Sequence, residues 1–332
     1  MAVFYADSAG TQGTGDGSTA LNACTLKQFW ENDVILYQSV VAGDDCYCKN
    51  GTTIIYDGSA GFFATITVEG TALSPIRAIG YSTVITDGGI VELEDSDSGA
   101  TTRTYNTQNY DYIHMYNYKI INARGFDLLD VDGWLMYNVE MLDPLFRGFD
   151  INNGNSAVNT FINCIVDGST GAGYDLSTRS LRMVNCIARN CSGNGFTVGN
   201  INYGAQLVGC LSYSNGGLGF SLTGESLLDN CIADDNTGDG IYIDADSNTQ
   251  IINCGITNNG GYGLNGDSGS LVFLLNCGFY QNTSGNINTG NITELYNYLP
   301  QTTDPLYTNQ GAGDYTLQPS SPWTDAGAGY NG

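Results

Sequence analysis

The sequence predicts an all-β fold, a single-stranded right-handed parallel β-helix, and three observations carry that expectation. A two-part unit recurs roughly every 23 residues between about 110 and 290. Six cysteines fall once per unit, and 45 glycines stand against 6 prolines. Few segments show the i, i+3, i+4 apolar spacing of an amphipathic helix.

The first half of the unit reads apolar-x-Asn-Cys-apolar, as in Phe161-Ile-Asn-Cys164-Ile, Met183-Val-Asn-Cys186-Ile, Leu228-Asp-Asn-Cys231-Ile, Ile251-Ile-Asn-Cys254-Gly and Leu274-Leu-Asn-Cys277-Gly. About ten residues later comes Gly-apolar-x-apolar, from Gly125-Phe-Asp-Leu128 through Gly148-Phe-Asp-Ile151, Gly173-Tyr-Asp-Leu176 and Gly195-Phe-Thr-Val198 to Gly240-Ile-Tyr-Ile243. Each half alternates with period two, as a strand does, and Asn, Gly, Ser and Asp supply the turns between them. A sandwich needs antiparallel hairpins of varied sequence. Like residues recurring at one coil length instead stack in register.

Cys164, Cys186, Cys210, Cys231, Cys254 and Cys277 are spaced 22, 24, 21, 23 and 23 residues apart. A disulfide framework has no reason to follow a solenoid period. Equivalent positions in neighbouring coils lie ~4.8 Å apart, so these residues form an inward ladder of thiols acting as small hydrophobes. That suits folding in a reducing cytosol. The preceding Asn163, Asn185, Asn230, Asn253 and Asn276 are expected to stack as an amide ladder at a bend.

Residues 1–40 read as an N-terminal cap, 41–290 as coils that become regular from about 110, and 291–332 as a capping tail holding four of the prolines. Thr25-Leu-Lys-Gln-Phe-Trp30-Glu-Asn reads as a short helix whose Phe29 and Trp30 close the open end of the core, because a terminal coil has no neighbour. Segments 53–56, 64–68 and 76–79 read as strands of irregular first coils.

Lys plus Arg number 10 against 34 Asp plus Glu, a net charge of −24. Such a surface repels phosphate backbones, so nucleic acid is not an expected partner. Met1-Ala-Val-Phe-Tyr-Ala-Asp lacks a basic region followed by an apolar stretch, so neither a signal peptide nor a membrane anchor is expected. The expectation is a protein made in a host cytoplasm.

Three stretches resemble the right-handed parallel β-helix repeat proteins, the group of pectate-lyase-like enzymes, phage tailspikes and many non-enzymatic surface proteins. Phe4-Tyr-Ala-Asp7 followed by Gly15-Asp-Gly17 is similar to the group's opening, and Ala42-Gly-Asp-Asp-Cys-Tyr-Cys-Lys-Asn-Gly51 to its first coil. Asp304-Pro-Leu, Gly313-Asp-Tyr-Thr-Leu317 and Ser321-Pro-Trp-Thr-Asp325-Ala-Gly327 are similar to its closing segment. The fold hosts lyases, hydrolases, epimerases and inert fibres, so function rests on a site. With no leader expected, the resemblance implies a phage virion component: a head decoration or fibre, or a tail spike or fibre. Its implied partners are other virion proteins, two further copies in a homotrimer, and cell-surface polysaccharide. The alternative is a polysaccharide-degrading lyase or glycoside hydrolase, which leaves the question of catalysis open.

If the chain is an enzyme, Arg124-Gly-Phe-Asp127 and Arg147-Gly-Phe-Asp150 are the catalytic candidates, with Asp175 extending the aspartate row. Each aspartate lies between inward apolar neighbours and should point outward. Carboxylates at such spacing serve glycoside hydrolysis, where separations of roughly 5–9 Å are usable. The resemblance to pectate-lyase-like members also implies a calcium-assisted site with an arginine base. In the structural reading, Arg124 and Arg147 simply neutralise the row, and that reading is preferred.

Tyr110, Tyr112, Tyr116 and Tyr137 lie near these rows and are candidates for glycan contact, or equally for a subunit interface. Asp234, Asp235, Asp239, Asp244 and Asp246 surround Tyr242 and read as a solvated turn with at most weak Ca2+ binding. No other cofactor and no metal-ligand set is expected. His114 is the only histidine, with no G-x-S-x-G elbow beside it. Cys46 and Cys48 face one side of a strand without a second cluster for zinc, and Cys24 and Cys191 have no evident partner.

Overall fold

The computed structural model describes residues 2–324 apart from 8–16, 20–22, 31–35, 37, 50–53, 57–61, 82–86, 96–102, 109, 130, 155–157, 200–203, 289–291 and 299–301. Of the residues named above, Met1, Gly15, Asp16, Glu31, Asn32, Asn50, Gly51, Thr53, Asp325, Ala326 and Gly327 lie outside the described residues, as does the tail proline Pro300. The chain forms two compact units, Met1–Val166 and Asp167–Gly332. The predicted cap and first coils belong to the first and the predicted tail to the second. Both are built from parallel strands, as expected of a parallel β-helix.

In the first unit, one set of strands pairs in the order Val3–Asp7, Asp45–Lys49, Ile76–Tyr81, Ile113–Ile121, Leu135–Leu142, Asn159–Ile162. A second set runs Phe62–Thr65, Arg103–Gln108, Phe126–Leu129, Phe149–Gly154. Strand alternation sends Cys46, Cys48, Ala78, Met115 and Met136 into the core, and the left-handed Asn117 (φ 64) shifts the phase so that Tyr118 also points inward. The helix spans Leu26–Trp30. Thr25 and Gln28 start it with reciprocal bonds, Gln28 N to Thr25 Oγ1 at 3.1 Å and Thr25 N to Gln28 Oε1 at 2.8 Å. This is a capping box, legible as Thr-x-x-Gln. Phe29 and Trp30 are fully buried, and Phe29 packs edge-on against Phe4.

The second unit is regular. Each coil contributes three strands, exemplified by Ala205–Val208, Leu211–Tyr213 and Phe220–Thr223, and each pairs in register with its counterpart in the next coil. Between strands the backbone turns at left-handed residues. The first corner holds Asn185, Gly209, Asn230, Asn253 and Asn276; the second holds Asn190, Ser214, Asp235, Asn258 and Gln281. Asparagine is favoured there because its short side chain lowers the cost of a positive φ. Gly195 is needed for a different reason: a Cβ would lie 2.0 Å from Ser212 Oγ.

This geometry refines the expected amide ladder. The asparagines before the cysteines are mainly corner residues, although Asn276 Nδ2 does donate to Asn253 Oδ1 at 3.3 Å. The buried amide column is instead Asn215, Asn236, Asn259 and Asn282, with Nδ2–Oδ1 bonds of 2.9, 3.0 and 2.9 Å. Each amide also donates to a carbonyl of the preceding coil, Asn236 to Ser212 O at 3.0 Å for example. Cys191 ends the column, its N–H donating to Asn215 Oδ1 at 3.0 Å.

The cysteines behave as the spacing predicts: all ten are buried and free. Burial pushes the Cys210, Cys231 and Cys254 thiols well up, and their S–H groups find carbonyls, as Cys231 does with Leu207 O at 3.4 Å.

The tail folds onto the second unit. Tyr307–Asn309 and Asp314–Leu317 form an antiparallel pair whose Tyr307 and Tyr315 pack on Ile232. Asp234 is 1% exposed and accepts from Thr257 Oγ1 (2.5 Å), Asn258 Nδ2 (2.9 Å), Gln310 Nε2 (2.7 Å) and Tyr315 Oη (2.9 Å). The tail also explains why Cys254 and Cys277 are followed by glycine where other coils have isoleucine or leucine. A Cβ on Gly278 would lie 2.3 Å from the Trp323 ring, and one on Gly255 would lie 2.6 Å from Tyr307 Oη.

Two outcomes are expected. Asn236→Ala strands several buried donors and acceptors and should cost roughly 3 kcal/mol, read as a lower urea midpoint. Gly278→Val should expel Trp323 from its seat, seen as red-shifted tryptophan emission and faster proteolysis after about residue 300, while the coils keep their circular dichroism.

Candidate functional site

Asp127 and Asp150 are register partners on adjacent strands of the first unit, both outward and partly covered. Arg147 Nη1 meets Asp150 Oδ2 at 2.8 Å. The guanidinium carbons of Arg124 and Arg147 each lie 5.1 Å from the Phe146 ring centroid, within cation–π range. Phe146, with 43% of its surface exposed, thus contacts two cations. The sequence offered no reason to include this residue in the cluster. The space enclosed by Arg124, Asp127, Phe146, Arg147 and Asp150 is only about 10 Å³, room for one water at most. Asp175 belongs to the second unit, where its register partner is Thr197.

The tyrosines sort differently. Tyr5, Tyr47, Ile79, Tyr116, Tyr137 and Ile162 are successive register partners on the outer face of the first unit. Tyr5 and Tyr47 rings are 6.2 Å apart, and Tyr116 and Tyr137 rings 6.0 Å. Tyr137 is the most open, at 39% exposure. Of the predicted four, Tyr116 and Tyr137 are in this row. Tyr112 has φ 55 and packs beside Gly133 just before the strand, and the Tyr110 carbonyl accepts from Trp134 Nε1 at 2.8 Å. Tyr5 and Tyr47 are members that the sequence reading missed, because irregular coil lengths hide the register there. Tyr118 points inward and donates to Cys48 Sγ at 3.2 Å.

Beside the tyrosines runs the register row Asp45, Arg77, His114, Leu135. Arg77 grips Asp45 with two bonds of 2.6 and 2.7 Å. His114 Nδ1 and Tyr116 Oη are 3.4 Å apart. Burial and the neighbouring Arg77 lower the His114 pKa below 6.5, and burial raises that of Tyr116. The shift favours the neutral imidazole of His114 beside the Asp45–Arg77 ion pair.

The second acidic set is engaged by the protein itself. Asp234 is the tail anchor, and Asp235 accepts from Ser214 Oγ at 3.2 Å. Asp239 holds Tyr262 N and Asn265 Nδ2 at 2.6 and 2.8 Å, and Asp244 accepts from Ala245 N at 2.9 Å. Asp246 takes a left-handed corner at φ 56. The Tyr242 hydroxyl is pushed up to about 12 by burial and the nearby Asp267, Asp244 and Asp239. Among the described residues no three His, Cys, Asp or Glu side chains converge as a metal cluster. No described helix is long and apolar enough to cross a membrane.

Residues 199–299 match the family described as Right handed beta helix region. Pectate lyase Pel9A superposes with a TM-score of 0.71 over 96% of this chain and 85% of that one, at 16% identity. The chain is a right-handed parallel β-helix of the pectate-lyase-like fold. A rhamnogalacturonan lyase shares the β-helix at TM-score 0.52 and 13% identity, covering 91% of this chain and 87% of that one. The periplasmic alginate epimerase AlgG does so at 0.51 and 12%, covering 80% and 78%. No curated protein matches the chain in sequence. At these identities the likeness is one of fold.

Because the folded imidazole resists protonation, acidification favours the unfolded chain, which takes the proton. The linked stability is present above pH 6.5 and is lost as pH falls below it. An NMR titration of this single histidine should give a midpoint below 6.5, and His114→Gln should remove that component of the acid-side stability loss.

Proposed function

We propose that this chain is a non-catalytic β-helical component of a phage particle, exposed on the virion and touching host-surface glycan through the tyrosine row of its first unit. The observation that carries the non-catalytic part is the closure of the Arg124, Asp127, Arg147 and Asp150 cluster. Arg147 is paired with Asp150, the Arg124 and Arg147 guanidiniums lie over Phe146, and the space of about 10 Å³ between them admits no sugar ring. The Tyr137 ring, by contrast, stands exposed on the outer sheet face with the half-buried Tyr116 ring beside it. Aromatic faces with a hydroxyl at one end suit a partner that is apolar on its ring faces and polar at its rim. Ten buried free thiols support folding in a reducing cytosol, where phage particles assemble. The homotrimer and the virion neighbours are part of the same proposal.

Mass spectrometry of purified particles should detect the chain, and light scattering should give three copies. Purified protein should bind host capsule or lipopolysaccharide without releasing reducing ends or unsaturated products. Tyr137→Ala should weaken that binding about tenfold, or ~1.4 kcal/mol. Cleavage that disappears in Asp150→Asn would establish the enzyme reading instead.

A further inference from the structure

The second unit carries a groove of about 900 Å³ on the outer face of strands Ala205–Val208, Ser226–Asp229, Asn248–Ile252 and Ser270–Leu275. Its size is that of a small-molecule or oligomer site. Gln206, Leu227, Gln250 and Phe273 are successive register partners along it. All four lie on the outer face, and Phe273 is 41% exposed, with Leu271 beside it at 37%.

Amide and apolar side chains therefore alternate from coil to coil. Two strand spacings amount to about 9.6 Å, so an amide recurs at that interval and an apolar platform recurs half a step out of phase. Each glutamine presents both a donor and an acceptor, matching a hydroxyl, while Leu227 and Phe273 match the apolar face of a pyranose ring. The interval is comparable with the length of one disaccharide in an extended chain.

The electrostatics select among polysaccharides. Of the described residues lining the groove, Glu225 alone is charged, and it is an anion. The chain as a whole carries −24. The lining offers an acidic polymer no cation and one anion, and the single cation in the row is Arg182, the register partner of Gln206 beyond the groove's end. The geometry points to a binding site for an uncharged polysaccharide, lying across the coils and read by Gln206, Leu227, Gln250 and Phe273 two sugars at a time. This goes beyond the tyrosine-row reading: it concerns a different unit and stands even if that row binds nothing.

The test applies the full-length protein to an array of immobilised neutral and acidic glycans. Binding to neutral hexose chains, lowered at least tenfold by Phe273→Ala and by Gln250→Ala but unchanged by Leu73→Ala, an exposed position outside both rows, is the expected result. Both substituted residues are exposed, and unchanged thermal unfolding of the variants verifies that the coils are intact. The proposal is overturned if no neutral glycan is retained, if only acidic glycans bind, or if the two variants bind as the parent does. It is equally overturned if Phe273→Ala dissociates an oligomer while leaving glycan signals intact, since the groove would then be a contact between copies.

Discussion

In-register parallel pairing is the constraint on which the rest of this structure depends. Once a residue in one coil faces its equivalent in the next, every position becomes a column and each column must be chemically self-compatible. Cysteine meets that demand as a small, inert hydrophobe whose thiol can reach a carbonyl. Asparagine meets it in two ways. At corners it takes a positive φ, and at Asn215, Asn236, Asn259 and Asn282 its amide donates to the next amide and accepts from the one before. A buried amide is tolerable only when its partners are supplied, and the column supplies them by repetition.

Columns also explain where function can sit. Outward positions are free of the core's demands, so their residues report on something other than packing. Asp127 and Asp150 are outward, yet Asp150 is paired with Arg147, and the guanidiniums of Arg124 and Arg147 lie over Phe146. The tyrosine row of the first unit and the amide–apolar row of the second remain open to partners. The tail illustrates the converse case, in which the chain itself is the partner: Gly255 and Gly278 leave the space that Tyr307 and Trp323 occupy.

Much of the fold was legible because its signals are local and periodic. The cysteine intervals, the Gly-apolar-x-apolar strands and Phe29 with Trp30 all behave as read. The candidate site was less legible. Arg124, Asp127, Arg147 and Asp150 were recognisable from their repeat, but Phe146 has no periodic signature. Tyr5 and Tyr47 sit in coils of irregular length, so their alignment with Tyr116 and Tyr137 is invisible in one dimension. The glycines after Cys254 and Cys277 were visible as departures from the motif, but their meaning required the position of Trp323.

The sequence by itself determined the period, and with it a parallel solenoid with thiols inside and the Asp127 and Asp150 row outside, because pleat alternation and coil length are properties of consecutive residues. Only the tertiary structure decided which asparagines form corners and which form the buried amide column. Both kinds occur once per coil, and a left-handed backbone separates them. It likewise decided that the Arg/Asp cluster is closed and that two other rows are open. Closure depends on side chains converging from different coils, and that convergence has no spacing to read.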